Sequence, residues 1–155
     1  MNNKKTILAA LLTLFCVSAQ AQSLKFNPDK ENEVTLSWGG SSLNVDVKNN
    51  GRHKISDLFF ETNKELHVKL DDFNFDGIGD FAVWHIDDGM GTYTIFRVFV
   101  YDAQKREFIE ASPSCGDEFI NLIVDKKNKS LKSTYYEANI PKQCVTKLAT
   151  KAANH

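Results

Sequence analysis

Asp72, Asn74, Asp76 and Asp80 are spaced through "DFNFDGIGD" (72–80), with Gly77 at the sixth place. With Asp71 beside them, four carboxylates and an amide crowd into a dozen residues, where the charges repel. A bound cation offsets that repulsion, and calcium suits these donors because it takes six to eight hard oxygens in irregular geometry. Alternate spacing turns the oxygens of Asp72, Asn74 and Asp76 inward, and Gly77 permits the sharp turn. The Ile78 carbonyl is then free to join them, with Asp80 at the ninth place. Phe73 and Phe75 fall between the ligands and can tie the loop to a core. The competing reading is a metal-free Asx turn held in water.

A helical calcium loop also needs a bidentate Glu at its twelfth place, which here is Val83. "FAVWHI" (81–86) continues instead as a strand. The nine residues therefore resemble the calcium loops of FG-GAP (integrin-type) and VCBS repeats, in which a strand follows the ligands. Dockerins share the early spacing but run on into a helix. Asp71 is out of phase with the ligands and is an outer group.

The elements that must position this loop read as strands. "EVTLSW" and "LNVDVK" flank Gly39, Gly40, Ser41 and Ser42, a hairpin signal. "YTIFRVFVY" (93–101) is apolar on both alternating faces apart from Arg97, which describes a central strand covered on both sides. "FINLIV" and "LKSTYY" are further strands, and no stretch carries a 3.6-residue stripe. Three segments, "LFFETNKELHVKL", "VFVYDAQKREFIE" and "LIVDKKNKSLKST", share one pattern of strand, acidic turn, basic residue and strand. Glu61, Asp102 and Asp125 open the turns; Lys64, Arg106 and Lys129 close them. The expected class is all-β: an antiparallel hairpin meander, partly propeller-like, with the calcium loop in a β-hairpin.

At the N-terminus, Lys4 and Lys5 precede the apolar run "TILAALLTLFCV" and the small residues of "AQA" (19–21). That order describes a cleaved secretory peptide over 1–21, leaving one β domain over 22–155 in the periplasm. The run is short for a membrane span, and Phe15 before Cys16 is a poor lipoprotein signal. Removing two lysines and no acid takes the formal charge from −1 to about −3, which points to no nucleic acid. After cleavage no membrane segment remains. Cys115 and Cys144 are then an even pair in an oxidising compartment, so one disulfide is expected. It closes a loop of about 30 residues, for roughly 3 kcal/mol. Two buried free thiols are the alternative.

From Leu58 to Tyr136 the order of parts is similar to a family of small exported bacterial proteins with an FG-GAP/VCBS-like calcium loop. Characterised members are periplasmic immunity proteins that block peptidoglycan hydrolases, and they are similar in architecture to periplasmic lysozyme inhibitors. The resemblance implies a calcium-binding protein that binds and inhibits such a hydrolase and is not itself an enzyme. The partner surface would be "HIDDGMGTYT" (85–94), where His85, Asp87, Asp88, Met90 and Tyr93 form a glycine-hinged segment. The plain reading of that segment is a connecting loop. A calcium-stabilised adhesion or carbohydrate-binding module is the alternative function. No nucleophile motif and no H-E-x-x-H spacing accompanies His85 and the two acids, which argues against a hydrolase.

Overall fold

The computed structural model describes residues 21–149; the expected secretory peptide and the end of the chain lie outside them. Eleven antiparallel strands follow in order: β1 Gln22–Phe26, β2 Glu33–Gly39, β3 Ser42–Asn49, β4 Arg52–Phe59, β5 His67–Asp71 and β6 Asp80–Ile86. Then come β7 Thr94–Asp102, β8 Glu107–Ala111, β9 Phe119–Asp125, β10 Ser130–Glu137 and β11 Ile140–Thr146. The chain is thus the all-β antiparallel meander expected of it. The strands form a four-stranded sheet, β1-β2-β3-β4, and a seven-stranded sheet, β11-β10-β9-β7-β6-β5 with β8 also on β7; neither closes into a barrel.

Short turns of the right chemistry join most neighbours. Asn50 and Gly51 (φ 47° and 76°) link β3 to β4, and Ala138 and Asn139 (φ 50° and 62°) link β10 to β11. Positive φ at both central residues matches the right-handed twist of the strands. The β7–β8 and β9–β10 turns share a second design. Asp102 accepts from the N–H groups of Gln104 and Lys105, Asp125 accepts from that of Asn128, and Arg106 and Lys129 close the turns with φ near 50°. The third segment of that pattern behaves differently. β4 belongs to the small sheet and β5 to the large one, so residues 60–66 cross between sheets instead of closing a hairpin. Phe60 and Leu66 hold the crossing because both are buried.

The small sheet packs Val34, Leu36, Leu43, Val45 and Val47 against Phe81, Val83, Phe99 and Tyr101 of β6 and β7. The opposite face of β6 and β7 carries Ala82, Phe96 and Val98, packed with Phe73, Phe119, Leu122 and Leu131 in a second core. β7 is therefore central in both senses. It pairs with β6 along one edge, with β8 and β9 along the other, and is covered on both faces. Cys115 and Cys144 form a disulfide, with Cα atoms 5.8 Å apart. It pins the 112–118 connection to the buried end of β11.

Candidate functional site

The acidic segment is the connection between β5 and β6, whose facing ends are Asp71 and Asp80. Phe73 is fully buried in the second core, and Phe75 packs on its margin. Burying a phenylalanine contributes on the order of 2 kcal/mol, so the loop is anchored from within. Phe75 and Gly77 turn the backbone with φ of 62° and 86°.

Three of the predicted ligands come together on this turn. The Asp76 N–H donates to Asp72 Oδ1 at 3.1 Å and to Asn74 Oδ1 at 3.2 Å. Gly77 N–H donates to Asp72 Oδ2 at 2.9 Å, and Ile78 N–H to Asp76 Oδ1 at 2.8 Å. Asn74 Nδ2 donates to Asp76 Oδ2 at 2.7 Å. Ile78 follows directly, with its side chain packed on the first core. These bonds are those of an Asx-type loop, and they leave acceptor capacity on the carboxylates, each of which has about four lone-pair sites.

Asp80 has a different position. The residue is 1% exposed, with Oδ2 accepting from Phe73 N–H and Oδ1 from Tyr101 N–H, both at 2.9 Å. Burial raises its pKa to about 7, against the lowering effect of the Tyr101 and Phe73 N–H groups, and the charge of Asp76 adds to the rise. Among the described residues no three His, Cys, Asp or Glu side chains converge in a metal-holding group. The oxygens gathered at the turn come from two carboxylates and an amide, with Asp80 engaged by the backbone behind them.

One support had no signal in the sequence. Gly79 N–H donates to the Pro28 carbonyl at 3.0 Å, and a Cβ at Gly79 would lie 3.2 Å from Pro28 Cα. A side chain here would push the lead-in segment back by a few tenths of an ångström, so glycine suits the close approach. Asp71 lies outside the ligand turn, paired with Lys126 at 3.0 Å and accepting from the Asp72 N–H.

The second predicted segment joins β6 to β7. Asp87 accepts four backbone N–H groups: Gly89 and Gly91 on Oδ1, Thr92 and Tyr93 on Oδ2, at 2.8–3.2 Å. The Tyr93 N–H, with those of Gly91, Thr92 and Gly89, holds its pKa below the usual range despite some desolvation. Asp87 is thus the brace of the loop. Asp88 accepts from Thr62 Oγ1 at 2.9 Å, and His85 Nδ1 lies 2.9 Å from the Ile86 carbonyl. Met90 is 83% exposed at the tip. Tyr93 packs edge-on against Tyr136, with ring centroids 5.7 Å apart, and a side-chain hydrogen bond between them raises the Tyr136 pKa. The other two described histidines are accounted for elsewhere: His53 contacts Asp46 at 2.9 Å and His67 stacks on Trp84.

In comparisons with known proteins, no family model, no curated protein and no solved structure matches the chain.

Proposed function

We propose that this chain is an exported, calcium-binding β protein that binds and inhibits a peptidoglycan hydrolase. Asp72, Asn74 and Asp76 would hold the ion through side-chain oxygens and Ile78 through its carbonyl, with Asp80 fixing the loop and adding charge. The donor set fits calcium because every candidate is a hard oxygen. Bound calcium would offset the charges crowded at the turn and lower the cost of keeping Asp80 ionised.

The observation that carries the inhibitor half of this reading is the Asp87-braced loop. Four backbone bonds to one carboxylate pre-organise a segment that projects Met90 and ends on Tyr93. A rigid protruding loop loses little entropy on entering a cleft, which favours affinity. The family resemblance supplies the class of partner. The test is turbidity loss of cell-wall suspensions by a panel of muramidases, amidases and endopeptidases, with and without the purified protein in calcium. One class should be inhibited stoichiometrically, and Met90→Ala with Tyr93→Ala should relieve the inhibition. Uninhibited turnover across the panel would reject the reading.

A second reading, the carbohydrate-binding module, has one observation in its favour. A groove of about 650 Å³ is lined by Trp38, Gly40, Asn63, Lys64 and Glu65, among others. Trp38 is fixed there by its Nε1–H, which donates to the Leu66 carbonyl at 3.1 Å. Quenching of tryptophan fluorescence by chito-oligosaccharides, abolished by Asn63→Ala with Glu65→Ala, would favour it over the first.

A further inference from the structure

Under the export reading, removal of 1–21 makes Gln22 the first residue of the chain. Glutamine is special in that place. Its carboxamide carbon lies the right number of bonds from the α-nitrogen to close a five-membered lactam, whereas asparagine would need a strained four-membered ring. Inside a chain the same nitrogen is an amide, its lone pair is delocalised, and the closure does not occur.

The strand order determines where this terminus sits. The first sheet begins at Gln22, which opens β1 and lies opposite Trp38 of β2. Ala21 lies against the end of β2, since a Cβ on Gly39 would be 3.8 Å from its Cα. Gln22 is exposed and stands at the groove that Trp38, Lys64 and Glu65 line. Its Nε2 donates to Glu65 Oε1 at 3.2 Å.

That bond opposes closure in three ways. It holds the carboxamide on Glu65, whereas closure requires the carboxamide carbon to swing onto the α-nitrogen. A carboxylate accepting from the amide also makes that carbon less electrophilic. An anion near the terminus favours the protonated amine, which has no lone pair to attack with.

We propose that Gln22 is a modification site, closing to a pyroglutamyl terminus after export, with Glu65 as the brake that sets the rate. The unprotonated α-amine attacks Cδ. The N–Cδ bond forms, the Cδ–Nε2 bond breaks, and ammonia leaves with the proton that the amine gives up. Nothing is oxidised or reduced. The product is lighter by one ammonia, has lost a positive charge beside the groove, and offers no free amine to an aminopeptidase. The proposal rests on the export half of the reading above, and not on calcium or on the inhibited enzyme.

The test uses the full chain, expressed with its leader, recovered from the periplasm and sampled from induction onward. Mass analysis of the tryptic peptide 22–25 should find a fraction lighter by one ammonia that grows with time. That fraction should resist stepwise degradation from the N-terminus. Glu65→Ala, a change at an exposed side chain, should speed its growth about two- to fivefold, the kinetic equivalent of one exposed hydrogen bond. A peptide that starts at Gln22 and keeps its amine throughout overturns the proposal and leaves export standing. So does a Glu65→Ala chain that closes no faster than wild type. A chain that begins at another residue overturns the export cut, and the proposal with it.

Discussion

The two loops that flank β6 are both organised by aspartate, yet they use it in opposite ways. Residues 87–93 have one carboxylate fully engaged by its own backbone, with four N–H groups on Asp87 and its pKa lowered. Residues 72–80 hold more acid than their backbone requires. Asp72 and Asp76 satisfy the turn while Asp80 is buried behind it, its pKa pushed up to about 7. A loop whose charge is spent internally is a scaffold for what it projects. One that carries surplus oxygens and an energetically costly carboxylate is suited to a cation.

The sharpest way to break this comparison is at Asp80. Asp80→Ala leaves the buried Phe73 and Tyr101 N–H groups without their acceptor, at about 1–3 kcal/mol each, and urea unfolding should report a loss of several kcal/mol. Its titration gives a second handle. The folded pKa of about 7 exceeds the ordinary 3.8, so between those values the folded state holds a proton that the unfolded chain has lost. Stability in chelator should therefore fall as pH rises through that window and level off above it. Asp80→Asn should flatten the fall. Pronounced stabilisation over the same range would contradict the assignment.

Next in size is the disulfide. Cys144→Ser frees a 29-residue separation and places a hydroxyl at a fully buried position, for a loss of about 3 kcal/mol or more in urea unfolding. The effect should be the same in calcium and in chelator, since the bond lies outside the acidic turn. A calcium-dependent loss would mean that the two regions are coupled.

Smallest should be Asp87→Ala. The side chain is half-buried and its bonds are confined to its own loop, so the melting temperature should move little. Hydrogen exchange should nevertheless accelerate at the amides of Gly89, Gly91, Thr92 and Tyr93, which lose their shared acceptor. Unchanged exchange at these four amides would remove the scaffold role.

Much of this architecture was legible as local pattern. Period-two apolarity located β2, β3, β7, β9 and β10, and the double-faced run 93–101 identified the central strand. Asp102 and Asp125 were readable as turn openers because Asp caps nearby N–H groups. Glu61 and Lys64 matched that pattern but serve a crossing between sheets; the choice there is made by packing of Phe60 and Leu66, which no spacing encodes. β4 was obscured because most of its side chains are exposed and so show no core-facing alternation. β11 shows no alternation for the same reason, since only Cys144 and Thr146 of it are buried. At the site, the turn formed by Asp72, Asn74 and Asp76 was legible from spacing alone. The bracing role of Asp87 and the Pro28 contact were not, since both depend on where backbone N–H groups point.

Thermal melting of the protein in excess calcium and in chelator tests the central claim most directly. With a dissociation constant on the order of 10⁻⁴–10⁻³ M, as in extracellular calcium modules, millimolar calcium should raise the melting temperature by several degrees, because the ion binds only the folded state. Asp76→Ala should abolish most of that rise while magnesium fails to replace calcium. Superimposable melting curves in calcium and in chelator would contradict the account.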